Sequence, residues 1–197
     1  MTDSHPIGRC LVALALALMA APAVADDEPG ANELTVAMLK SVERGRYIVT
    51  TSGCNDCHTP FHDGPAGPEP DMSRMLSGHP ESLSVSEAPT APPAPWGMMA
   101  TYTSTAWAGP WGVSFTANLT PDEDTGLGKW TFAEFRDTIR SGRHLGRGRL
   151  ILPPMPIAMY KNFTDEDLEA IYRYLRTIPP VRNRVPDPLI PGEPLAD

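Results

Sequence analysis

The stretch Gly53-Cys54-Asn55-Asp56-Cys57-His58-Thr59 brings two thiols and an imidazole within five residues. Cys-x-x-Cys-His is the spacing at which a c-type haem is attached. Each thiol can add to one of the two vinyl groups on neighbouring edges of the porphyrin. One helical turn separates the sulfurs by that span, and the next residue turns its imidazole under the iron as proximal ligand. A chain with this many cysteines and histidines would contain the pattern by chance about once in a thousand sequences. Two other chemistries use the same residues. Cys54 and Cys57 could close a disulfide, as in a thioredoxin-like pair. Such a pair usually opens a helix after a strand in an α/β pattern; no such strand pattern precedes this one, and the disulfide leaves His58 unexplained. Zinc would need four protein ligands, and the sequence has no second Cys/His pair at matching spacing.

A haem iron held by His58 has one further axial position, to be filled from elsewhere. The methionines beyond the first 25 residues are Met38, Met72, Met75, Met98, Met99, Met155 and Met159; the other histidines there are His62, His79 and His144. Most methionines fill gaps in a core. Met155 differs because it lies in Leu152-Pro153-Pro154-Met155-Pro156. Proline fixes φ and removes a backbone donor, so this segment reads as a stiff, extended strap. A stiff strap loses little entropy when it presents a thioether. His144, in Ser141-Gly142-Arg143-His144, is the alternative.

The remaining sequence sets where these groups can sit. The chain has 197 residues, 41% of them hydrophobic, with a net charge of −8. That acidic balance does not suit a nucleic-acid binder, which needs clustered Lys and Arg. Arg9, the apolar run Leu11–Met19 and the small residues ending Ala23-Val24-Ala25 read as a secretory signal peptide over 1–25, cut after Ala25. The alternative is a retained membrane anchor, for which the apolar run is short. Cleavage removes Cys10 and leaves Cys54 and Cys57 as the two exported cysteines.

Three helices are legible. Val36, Leu39, Val42 and Ile48 recur near helical spacing over 34–51, with Gly45 in the middle. A second helix is expected from about Thr131 to Arg140, where Thr131 and Glu134 can form a capping box and Phe132, Phe135 and Ile139 share a face. The last starts at the N-cap Thr164, carries three acids in its first turn and buries Leu168, Ile171, Tyr172 and Leu175 before Pro179-Pro180. No long alternating strand pattern appears. Residues 61–113 are rich in proline and read as a loop insertion, solvated over 62–94 and packed over 95–115 by Trp96, Trp107, Trp111 and Phe115. The proline-rich C-terminal tail, 183–197, reads as extended along the surface.

Gly45-Arg46-Tyr47-Ile48-Val49, the haem motif, the run Phe115–Phe135, Leu152–Pro156 and Thr164–Leu175 together resemble the class I c-type cytochromes. The likeness is to single-haem bacterial exported cytochromes similar to the cytochrome subunits of membrane-associated dehydrogenases. It covers roughly residues 35–60 and 113–182 and implies an all-α cytochrome c fold. Three or more helices would wrap one covalently bound haem c, within a domain spanning 26–182. It implies His58 and Met155 as axial ligands, and a crossing of the first and last helices at Gly45 with Tyr47 packed there. The haem propionates would need partners, for which Asn118, Thr120, Trp130 and the arginines Arg140, Arg143, Arg147 and Arg149 are candidates.

With both axial sites closed, oxygen binding and peroxide chemistry are disfavoured, and methionine raises the reduction potential. The expectation is an electron carrier in the periplasm rather than an enzyme. It would exchange single electrons with redox proteins such as a dehydrogenase or another cytochrome or oxidase, and meet a membrane only through a membrane complex. Two alternatives stand: a haem subunit dedicated to a dehydrogenase complex, and a haem enzyme or ligand sensor with a displaceable Met155.

Overall fold

Gly45 sets how the first and last helices meet. It lies in α1 (Ala31–Thr51), and a Cβ built on it would fall 1.9 Å from the Ala170 carbonyl oxygen and 2.9 Å from the Tyr174 Cβ. Ala170 and Tyr174 belong to α5 (Asp165–Leu175), so the two helices cross with backbone against backbone. The computed structural model describes Met1, residues 30–85 and residues 95–191. The expected signal peptide, apart from Met1, and Cys10 lie outside the described residues, as does the end of the tail.

The three helices form for the reasons their sequences give. In α5 the Thr164 hydroxyl accepts from the Asp167 N–H at 3.1 Å, and Asp165, Glu166 and Asp167 face the positive end of the helix dipole. Helix α3 (Phe132–Ser141) has the capping box: Glu134 accepts from the Thr131 N–H at 3.0 Å, and the Thr131 hydroxyl accepts from the Glu134 N–H at 3.2 Å. It ends at Gly142, whose φ of 65° suits glycine. Ile48 and Val49 of α1, Phe135 and Ile139 of α3, and Leu168, Ile171 and Leu175 of α5 form the main core with Leu76, Leu127 and Ile178. Two details differ from expectation. Tyr47 is 57% exposed with the Arg44 guanidinium beside its ring, and Tyr174 takes its place at the crossing. Val36 and Leu39 are also exposed, because none of the described residues covers the first half of α1.

The chain is not all-α. It is a mixed helix-and-strand structure, 37% helical and 14% strand, with two small antiparallel sheets that occupy the expected loop and run just past its end, to Phe115. Strands β1 (Phe61–Gly64) and β2 (Gly67–Pro70) form a hairpin, and β3 (Met99–Ala100), β4 (Ala106–Gly109) and β5 (Gly112–Phe115) form a three-stranded sheet. Strands of two to four residues carry too little alternation to stand out in the sequence. Their turns are nonetheless built for the task. Pro65 and Pro110 start the two hairpin connections, and Gly67 and Gly112 take positive φ at their ends. Pro68 and Pro70 sit in a two-stranded sheet, where each strand is an edge and a missing donor is tolerated.

The β1–β2 hairpin is largely exposed, as expected for 62–94, whereas β4 and β5 of the three-stranded sheet are tied in. Leu76–Pro80 is buried, whereas Trp96, expected to pack, is exposed. Ala106, Ala108 and Val113 make a second small core against Val85, Phe115 and Leu189. The C-terminal segment is pinned by Asn183, which is 1% exposed. Its amide donates to the Ser77 and His79 carbonyls at 2.7 and 2.8 Å, and its oxygen accepts from the Glu81 N–H at 2.8 Å. Leu189 pairs with Val113 in both directions, extending β5 on its outer side.

His79 is fully buried between these layers. Its Nε2 donates to the Leu83 carbonyl at 2.8 Å, its Nδ1 accepts from the Thr105 hydroxyl at 3.0 Å, and its ring lies 4.8 Å from that of Phe115. Burial lowers its pKa, with the Leu83 carbonyl acting the other way.

Two outcomes follow. Gly45→Val should destabilise the fold by about 3 kcal/mol or prevent the crossing, read as a lower denaturant midpoint. For His79 the unfolded chain binds the proton more readily, so stability should fall as pH drops below about 6.5, by up to about 1.4 kcal/mol per pH unit. Denaturant titrations of wild type and His79→Asn between pH 5 and 7 should show the shallower slope in the variant.

Candidate functional site

The turn that follows α1 is made by Gly53, at φ 74°, which starts the single helical turn α2 (Cys54–His58). Cys54 and Cys57, three residues apart on a helix, project to one side. Both are partly buried free thiols. Burial pushes the Cys54 thiol up to about 11. Burial, and after it the neighbouring Asp56 carboxylate, raises that of Cys57.

His58 is buried at 8% exposure, with Nδ1 2.8 Å from the Ala117 carbonyl oxygen. A carbonyl only accepts, so Nδ1 carries the proton and Nε2 keeps its lone pair. That is the arrangement of a metal-ligating histidine whose second nitrogen is fixed by an outer partner. Burial lowers the His58 pKa, opposed by the bond to Ala117. The turn is braced from behind. The Thr59 hydroxyl donates to Asn55 at 2.8 Å and accepts from the Leu76 N–H at 2.9 Å, and the Gly78 N–H donates to the His58 carbonyl at 2.8 Å.

Next to the turn, α1, α3 and α5 line an apolar cavity of about 60 Å³ that opens toward solvent. Val49, Leu119, Phe135 and Ile171 are among its walls, and Cys54 and Met155 both reach it. The structure therefore brings Cys54 and Met155 to one cavity. Cys57 and His58 share the turn with Cys54 but do not line that cavity. Met155 is partly buried against the main core on the strap before α4 (Ile157–Tyr160). Tyr160 packs on the cavity too, and its hydroxyl donates to the Ser52 carbonyl, joining the strap side to the residue before Gly53. Burial is the main reason the Tyr160 pKa is pushed up to about 12.

The other candidates lie elsewhere. Met38, Met72, Met98, Met99 and Met159 are exposed, and Met75 packs on the core without reaching the cavity. His79 has both nitrogens engaged, His62 is exposed near Glu69, and His144 is exposed beside the Trp130 ring. Among the described residues, no cluster of three or more His, Cys, Asp and Glu could hold a metal ion without a cofactor. Of the residues considered for propionates, Asn118 donates to the Val181 carbonyl at 2.8 Å, and the Thr120 hydroxyl donates to the Asn118 side-chain oxygen at 2.8 Å and accepts from the Val181 N–H at 3.1 Å. Arg140 pairs with Asp165, Arg149 reaches Asp187, and Arg143 and Arg147 donate to the Gly148 and Leu145 carbonyls. Trp130 packs against the main core. Sequence reasoning missed Ala117, which acts through its backbone, and Tyr160, which a large aromatic five residues after Met155 does hint at.

These residues fit a covalently held haem: paired thiols on one helical turn, an imidazole with a free Nε2, a thioether, and an apolar cavity. No family model matches the chain. One of the subunits of the nicotinate dehydrogenase of Pseudomonas putida is 31% identical over 159 residues, covering 80% of this chain and 10% of that protein. The gluconate 2-dehydrogenase cytochrome c subunit of Pantoea cypripedii is 28% identical over 184 residues, covering 93% and 32%. The fructose dehydrogenase cytochrome subunit of Gluconobacter japonicus is 26% identical over 137 residues, covering 70% and 21%. The chain is a relative of dehydrogenase cytochrome c subunits. This cytochrome c relative spans between a tenth and a third of the length of those three proteins. None of its described helices is long and apolar enough to cross a membrane.

Tyr160→Phe removes the hydroxyl that meets Ser52 while keeping the ring. It should cost about 1 kcal/mol of unfolding free energy with the far-UV circular dichroism unchanged.

Proposed function

We propose that this cytochrome c relative is an exported one-electron carrier that works in the periplasm and exchanges electrons with a dehydrogenase. One haem c would be attached through Cys54 and Cys57, with His58 and Met155 as axial ligands. The observation that carries the reading is the His58–Ala117 bond, which leaves Nε2 as a lone-pair donor on a turn whose neighbour Cys54 shares an apolar cavity with Met155. The names of the relatives support an electron-transfer haem protein in general terms.

The group, when bound, supplies a one-electron iron couple. The chain's residues do the rest. Cys54 and Cys57 would hold the macrocycle by thioether links. His58 is held in one tautomer and one ring orientation, so little rearranges when charge changes. Val49, Phe135 and Ile171 exclude water from the cavity, which keeps the local dielectric low. Met155, on the strap, would offer its thioether to the iron, a ligand that favours the reduced state. With His58 and Met155 both given to the iron, no position would be left for a substrate, and the chain would serve as a carrier rather than a catalyst. Residues 1–25 provide the export signal. A second reading, a haem subunit that works within one dehydrogenase complex, is favoured by the relatives' printed names.

Mass spectrometry and a visible spectrum of the exported protein test this together. The mass should match one haem on a chain beginning at Asp26, and the ferric protein should show the weak far-red band of methionine ligation. Met155→Ala should abolish the band and lower the reduction potential. A colourless protein with free or mutually joined thiols sinks the proposal; an unchanged band in Met155→Ala reassigns the ligand.

A further inference from the structure

The strap cannot hold itself. Pro153, Pro154 and Pro156 have no N–H, so three of its five residues offer no backbone donor. Apart from the packing of Met155 on the core, it can be fixed at its flanks or by a donor reaching its carbonyls. Upstream, the Ile151 N–H bonds the Gly142 carbonyl at 2.8 Å; downstream, the Met155 carbonyl accepts from Ile157 at 2.8 Å. Between them, the Pro153 carbonyl accepts from the Ser114 hydroxyl at 2.6 Å.

Ser114 is well placed for that role. It lies on β5 and is 8% exposed. Its other acceptor, the Trp107 carbonyl, is 3.4 Å away, so the single hydroxyl proton goes to Pro153. The strand that presents it is held on both sides, by β4 through the Trp107–Ser114 register and by Leu189 through Val113. The donor therefore comes from a fixed backbone and reaches the carbonyl two residues before Met155.

We propose that Ser114 is the positioning residue for Met155. Its hydroxyl keeps the proline strap seated so that the thioether stays at the cavity, and the three-stranded sheet inside the insertion is the brace that presents it. This rests on reading Met155 as an axial ligand, and the test separates the two.

The haem-loaded ferric protein is titrated with imidazole, which competes with the thioether, and the loss of the far-red band is followed. In Ser114→Ala, half-displacement should come at about five- to tenfold lower imidazole, the equivalent of one lost hydrogen bond. Ser114→Cys, close in size but a weak donor, should fall between that variant and wild type. Val113→Ala loosens the same strand without touching the hydroxyl and should stay within about twofold of wild type. An unshifted midpoint in both Ser114 variants overturns the inference, as does an equal shift in Val113→Ala. A wild-type protein that lacks the band overturns the ligand assignment, and the inference with it.

Discussion

Contact between the backbones of α1 and α5 at Gly45 is the constraint on which the cavity depends. Only a residue without Cβ lets the Ala170 carbonyl come so close. That approach draws Ile48 and Val49 of one helix toward Leu168, Ile171 and Leu175 of the other, and all five line the cavity. The same rigid end of α1 leads through Ser52 and Gly53 into the turn that carries Cys54, Cys57 and His58. A crossing set by one glycine thus fixes both the wall of the cavity and the origin of its reactive turn.

The second layer of organisation comes from the insertion. Its proline content suggests a wet loop, yet its polar groups are used to lock distant segments together. Asn183 bridges the C-terminal segment to Ser77, His79 and Glu81, and Asn118 adds bonds to the Val181 and Asn183 carbonyls. His58 receives its orienting carbonyl from Ala117, just past β5, and the strap receives its donor from Ser114 within β5. The strands and the residues after them therefore supply partners to both sides of the candidate site.

Legibility in the sequence tracked how local the physics is. The haem motif, the capping box at Thr131 and Glu134, and the N-cap at Thr164 are set by residues within a few positions of each other, and the helix ends were readable to within about three residues. Gly45 was readable only with a family resemblance in hand, since a mid-helix glycine does not name its partner. Period placed Val36 and Leu39 near helical spacing with Ile48, but period gives a face and not whether anything covers it. Tyr47 failed for the same reason, because the crossing could accommodate one tyrosine and took Tyr174. The strands were missed because four residues cannot display a period. The Ala117 carbonyl carries no side-chain signal at all.

The strap shows why a stiff segment and an external donor belong together. Proline lowers the entropy that must be given up to order Leu152–Pro156, but it also removes the N–H groups by which an ordinary loop would hydrogen-bond itself to the core. Rigidity then fixes the internal shape of the segment without fixing its position as a body. Position has to come from contacts at points along it, and a rigid body needs few. Here the Gly142 carbonyl holds the flank before it, Ser114 holds Pro153, and the Tyr160 hydroxyl reaches the Ser52 carbonyl beyond it. Three tethers on a stiff segment determine where the Met155 thioether lies, which a flexible loop of the same length would need many more contacts to achieve.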